Sequence, residues 1–167
     1  MTLSQANYAS DYTPPHILVM EDEESIARGL EMVLQEEGYA VDLAFTGAGA
    51  LKSFENSNFD LVIADLRLPD SDGLEIIKIV KERRPETEVV VITGYSSVTS
   101  AVDAMKIGVA DYLAKPFTES EIKVAIGNAL NKDRSATQQK AESPDETAAD
   151  NLIQKREVLR VLDRTNR

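Results

Sequence analysis

Asp65 follows the apolar run Leu61-Val62-Ile63-Ala64 and precedes Leu66-Arg67-Leu68-Pro69-Asp70-Ser71-Asp72-Gly73, so it reads as a carboxylate at the end of a buried strand. Other apolar runs end in the same way. Ile17-Leu18-Val19-Met20 runs into Glu21-Asp22-Glu23-Glu24, Val89-Val90-Val91-Ile92 into Thr93-Gly94, and Tyr112-Leu113-Ala114 into Lys115-Pro116. If the runs are parallel neighbours, three acids, a hydroxyl and an ammonium meet at one sheet edge. Carboxylates a few ångströms apart repel one another unless a proton or cation intervenes, and an open all-oxygen site suits Mg²⁺, which keeps waters and takes few protein ligands. Lys115 can pair with Asp65 or with a phosphate carried on it, or else is a solvated surface lysine. Thr93 can bond a phosphoryl oxygen, or simply ends its strand before a turn at Gly94. Glu23 and Glu24 are better explained as acids favoured at a helix entry.

The elements that must position these groups follow from the hydrophobic pattern. Strands are predicted over 17–20, 40–44, 60–64, 89–92 and 110–113, with helices over 24–37, 47–56, 73–83, 96–106 and 118–131. In the first helix Ile26, Leu30, Val33 and Leu34 share a face, and in the last Ile122, Ala125, Ile126, Ala129 and Leu130 do. Strands joined by crossover helices must be parallel, and right-handed crossovers give a doubly wound (βα)5 sheet with ligands at the carboxyl ends of its strands. In the flavodoxin-like order 2-1-3-4-5, Glu21-Asp22 and Asp65 converge.

The remainder of the chain is polar. Residues 1–15 carry no period and end in Pro14-Pro15, so they read as a disordered leader; the domain proper is expected over 16–132. A polar linker follows over 133–149. Leu152, Ile153, Leu159 and Leu162 could then share one face of a C-terminal helix over 150–167, the possible start of an effector region. A formal charge of −11, from 29 acidic and 18 basic residues, argues against a nucleic-acid surface, which needs clustered Lys and Arg. The chain has no cysteine, so disulfides and thiolate metal sites are excluded. No apolar run approaches the roughly 20 residues that span a bilayer, and no secretory pattern opens the chain, so the expected location is the cytoplasm.

Four segments together resemble the receiver domain of bacterial two-component response regulators: Val-Met-Glu-Asp-Glu-Glu, Asp-Leu-Arg-Leu-Pro-Asp-Ser-Asp-Gly-Leu-Glu, Ile-Thr-Gly-Tyr and Asp-Tyr-Leu-Ala-Lys-Pro-Phe. The resemblance implies that Asp65 is the phosphoacceptor, with Asp22, Asp65 and the Arg67 backbone carbonyl as Mg²⁺ ligands. Glu21, standing where many members have Asp, would help through a water. Thr93 and Lys115 would hold phosphoryl oxygens, and Tyr112 would be the aromatic whose rotamer follows the phosphorylated state. Arg67 and Tyr95 would flank the phosphoryl group or else are plain surface side chains, and His16, ahead of the first strand, reads as structural.

The function expected on that resemblance is transfer of a phosphoryl group from a sensor histidine kinase or histidine phosphotransfer protein onto Asp65. The new charge would bias an output surface made by the fourth helix, fifth strand and fifth helix, and that surface or the C-terminal helix could form a homodimer. A metal-dependent phosphohydrolase with an aspartyl nucleophile is the rival enzyme, disfavoured because position 67 carries Arg where such enzymes place a second acid. A docking module that is not phosphorylated is a third reading. No helix-turn-helix, ATPase or cyclase motif follows Lys132, so the expectation is a single-domain regulator or a piece whose effector lies beyond Arg167.

Overall fold

Apolar runs with no charged interruption need cover on both faces, and here helices supply it. The computed structural model describes residues 12–138. The elements are β1 (His16–Met20), α1 (Glu24–Glu36), β2 (Ala40–Ala44), α2 (Gly47–Asn56), β3 (Leu61–Asp65), α3 (Gly73–Arg83), β4 (Glu88–Thr93), α4 (Val98–Ile107), β5 (Asp111–Ala114) and α5 (Glu119–Gln138). The strands form one parallel sheet in the order β2-β1-β3-β4-β5, the flavodoxin-like (βα)5 arrangement the pattern predicts.

Within each buried run, alternate residues serve different cores because successive side chains point to opposite faces. Leu18, Met20, Val62, Ala64, Val89, Val91 and Tyr112 pack with Phe54, Ile77, Val80, Ala101 and Ala104 of α2, α3 and α4. Ile17, Val19, Leu61, Ile63, Val90 and Ile92 pack with Leu30, Leu34, Ile122 and Ile126 of α1 and α5, joined by the partly buried Leu113. This parity carries over to the strand ends. Glu21, Asp65 and Lys115 continue the α1/α5 side, after Val19, Ile63 and Leu113, whereas Thr93 continues the α4 side that holds Val91 and Tyr112.

Several boundaries differ from expectation for local reasons. In α1 the buried residues are Ala27, Leu30 and Leu34, while the larger Ile26 and Val33 are half-buried beside them. α4 starts at Val98 rather than 96, because Ser97 caps it through a bond from Ser100 N. α5 continues past the expected boundary at 132 to Gln138, through a stretch containing no Gly or Pro to stop it. Residues 1–11 of the expected leader, the linker beyond 138 and the helix expected over 150–167 lie outside the described residues. Among the described residues no helix is long and apolar enough to cross a membrane.

Candidate functional site

At the carboxyl edge of the sheet, Lys115 reaches back to β1 and β3. Its Nζ lies 2.6 Å from Glu21 Oε2 and 2.8 Å from Asp65 Oδ2. Glu21 is fully buried and Asp65 is 5% exposed, so the ammonium neutralises carboxylates that water cannot reach well. The other oxygen of each acid is also held: Asp65 Oδ1 accepts from Arg67 N at 3.1 Å, and Glu21 Oε1 accepts from Glu23 N at 3.0 Å. Burial pushes the Glu21 carboxyl above its ordinary value, with the Lys115 bond only partly opposing it. Burial pulls the Lys115 ammonium down, but its bonds to Asp65 and Glu21 outweigh that and hold it raised. The Lys115–Pro116 peptide bond is cis.

Asp22 is exposed beside this pair, and one carboxylate oxygen each from Glu21, Asp22 and Asp65 lies within 4.8 Å of the others. Three carboxylates and one ammonium leave a formal charge of −2. Hard oxygen donors with that excess charge, open on one side, fit a divalent cation such as Mg²⁺. The acids face a crevice of about 580 Å³ that Arg67, Gly94, Tyr95 and Lys115 also line. The Arg67 guanidinium stacks 3.5 Å over the centre of the Tyr95 ring at its exposed rim.

Asp65 is followed by a tightly closed loop. Arg67 and Asp72 form an isolated antiparallel bridge, and Gly73 N donates to Leu66 O at 2.8 Å. Asp72 then caps α3 by accepting from Leu74 N at 2.9 Å. A Cβ on Gly73 would sit 2.2 Å from the Asp65 carbonyl oxygen, so the loop can close this far only around glycine.

Thr93 is buried behind Gly94, and its Oγ1 accepts from Tyr95 N at 3.1 Å. Tyr112 is buried on the same side of the sheet, with its hydroxyl 2.9 Å from Ser100 Oγ. His16 lies at the opposite end of β1, with Nε2 3.2 Å from Asp42 Oδ2 and its ring against Phe59, a structural placement.

The expected acids and the lysine therefore converge, and Thr93 and Tyr112 stand together behind them. The sequence reading missed one contact and two participants. Glu21, expected to act through water toward a cation, is a direct partner of Lys115. Ser100 receives Tyr112, a role marked in the sequence only by its spacing from the capping Ser97. Asp70 bonds Gly47 and Ala48 of α2, and no local pattern signals that contact.

A doubly wound α/β domain with acids and a lysine at one sheet edge is the class this geometry defines. Residues 17–127 match the model of the response regulator receiver domain family. The chain belongs to that family. It is 38% identical over 128 residues to the transcriptional regulatory protein ZraR of Klebsiella oxytoca, covering 77% of this chain and 29% of that protein. It is also 38% identical over 110 residues to the transcriptional regulatory protein DltR of Streptococcus agalactiae, covering 66% of this chain and 49% of that protein. The chain thus spans half or less of these relatives. Among solved structures, the CheY-like receiver domain protein of Methanospirillum hungatei superposes with a TM-score of 0.72 at 28% identity, covering 74% of this chain and 99% of that one. A receiver domain protein of Clostridium thermocellum gives 0.68 at 31% identity over 73% of this chain and 98% of that one.

Proposed function

We propose that Asp65 accepts a phosphoryl group from a phosphohistidine on a sensor histidine kinase or phosphotransfer protein. The observation that carries this reading is the Lys115 ammonium held between Glu21 and Asp65 at the mouth of an acidic crevice. Phosphoryl transfer asks mainly for positioning and for neutralisation of charge, and this edge supplies both. Asp22, Asp65 and the Arg67 carbonyl would hold Mg²⁺, with Glu21 assisting, and the ion would offset charge between the acids and the incoming phosphoryl group.

In the transfer an oxygen of Asp65 bonds to phosphorus as the P–N bond breaks, and the electron pair leaves on the donor's imidazole nitrogen. Arg67 N and Lys115 fix the attacking carboxylate beforehand, so little reorganisation is needed. Lys115 Nζ can then bond a phosphoryl oxygen. Thr93 Oγ1 accepts from Tyr95 N, which leaves its hydrogen free to donate to another. Movement of Thr93 toward the phosphoryl group opens room for Tyr112 on the shared face, and the state passes to the surface of α4, β5 and α5, the proposed face for a homodimer or other partner.

Incubation with acetyl phosphate and Mg²⁺ tests this, read by intact mass. One base-labile phosphate is expected on the wild type, none on Asp65→Asn, and little in the presence of a chelator. Full labelling of Asp65→Asn would move the acceptor elsewhere.

A further inference from the structure

The N–H groups in the first turn of α2 have no helical partners of their own and must find others. Thr46 at the cap accepts from Gly49 N at 2.9 Å, and Ala50 N makes the ordinary helical bond to Thr46 O at 3.0 Å. The two donors left, Gly47 N and Ala48 N, go to the two oxygens of Asp70 at 2.8 and 3.0 Å. Asp70 belongs to the loop between β3 and α3. Ser71 Oγ adds a bond to Asp70 Oδ1 at 3.2 Å and packs so close to Gly47 that a Cβ there would lie 1.9 Å from it. Glycine at 47 thus permits the approach that lets Asp70 reach both donors.

This contact differs from an ordinary cap because of what lies between Asp65 and Asp70. The loop's other bonds, Arg67 with Asp72 and Gly73 with Leu66, close it on itself. Asp70 ties it to a neighbouring element. Arg67 N, inside the tied segment, is the group that orients Asp65 Oδ1. We propose that Asp70 is a positioning residue for reaction at Asp65: by clipping the loop onto α2 it holds the Arg67 N–H against the acceptor carboxylate. The proposal rests on Asp65 as the phosphoacceptor.

The test uses the full chain, with Asp70→Ala, Asp70→Asn and Gly47→Ala as variants. Labelling rate with acetyl phosphate is measured across a Mg²⁺ titration, and backbone amide shifts are followed by ¹⁵N NMR. Displacement of an attacking group by a fraction of an ångström lowers its rate steeply, so Asp70→Ala should slow labelling about tenfold at saturating Mg²⁺. The Arg67 amide should shift together with those of Gly47 and Ala48. Asp70→Asn, which keeps one acceptor oxygen, should fall between, and Gly47→Ala should reproduce the Arg67 shift by pushing Ser71 away. If Asp70→Ala moves only the Gly47 and Ala48 amides and leaves Arg67 and the rate unchanged, Asp70 merely caps α2 and the proposal is overturned. Absence of labelling in the wild type would instead remove Asp65 as the acceptor, while the Arg67 amide would still decide whether the clip exists.

Discussion

The Tyr112 hydroxyl lies 2.9 Å from Ser100 Oγ, which joins β5 to the first turn of α4. Ser100 Oγ already accepts from Ser97 N at 3.2 Å and lies 3.1 Å from Ser97 O. A hydroxyl has one hydrogen and two lone pairs, shared here among these contacts, the Tyr112 hydroxyl and the Ser97 hydroxyl at 3.0 Å. The Ser100 hydrogen can go to Ser97 O or to Tyr112, so either hydroxyl can donate in the Tyr112 bond, and the oxygen that Tyr112 meets is the one that completes the capping box. Tyr112→Phe and Ser100→Ala should each cost about 1 kcal/mol, and the double variant should cost little more than either alone. Urea unfolding of the four proteins measures this. Equal costs for Tyr112→Phe with and without Ser100 would show that the two hydroxyls do not act as partners.

Among the described residues, Lys115 is the counter-charge within bonding distance of both buried acids, so its removal should be costly. Breaking a buried ion pair from one side leaves uncompensated charge, and Lys115→Ala should destabilise the protein by about 3 kcal/mol. Mg²⁺ should then recover more stability in the variant than it adds to the wild type, because the cation takes over neutralisation of Asp65. Chemical denaturation with Mg²⁺ and with chelator checks both statements. Identical Mg²⁺ increments in the two proteins would show that the ammonium and the cation do not serve the same charges.

These two relationships differ in how far they could be read from the chain. Asp22, Asp65, Thr93 and Lys115 were legible because each ends an uninterrupted apolar run, and parallel strands bring such ends to one edge. The period of two even separates the group around Asp65 from the pair Thr93 and Tyr112. What was not legible is pairing between residues remote in sequence. Lys115 meets Glu21 across 94 positions and Asp70 meets Gly47 across 23, and neither segment carries a pattern that names its partner. The inward face of α1 was legible as well: Ile26 and Val33 lie half-buried beside the buried Leu30 and Leu34, while the buried Ala27 carries too small a side chain to stand out in the hydrophobic pattern.

Gly73 offers a direct test of how closely the acceptor loop is packed. An added Cβ would meet the Asp65 carbonyl oxygen at 2.2 Å and Leu66 Cα at 2.7 Å, both of them backbone atoms that cannot swing aside. Gly73→Ala should therefore destabilise the fold by roughly 2 kcal/mol, in the range of overpacked cores, and slow labelling of Asp65 as well. Gly127→Ala, where a Cβ meets nothing within 4 Å, is the control and should leave both unchanged or slightly raise stability. Wild-type labelling by a well-folded Gly73→Ala protein would mean that the loop tolerates displacement beside the acceptor.

Acid should weaken the contact between Asp70 and α2 in a defined direction. The Ala48 and Gly47 N–H groups, with Ser71, favour the ionised form and hold the Asp70 carboxyl below its ordinary value of 3.8. A carboxyl whose value falls on folding contributes stability above its unfolded value, and loses that contribution as the pH drops through the folded one. The stability difference between wild type and Asp70→Asn should thus be constant near neutrality and begin to shrink as the pH falls below about 4. Urea midpoints across that range measure the difference, and the Asp70 side-chain carbonyl shift gives the titration directly. A midpoint at or above 3.8 would show that α2 does not hold the carboxylate in its charged form.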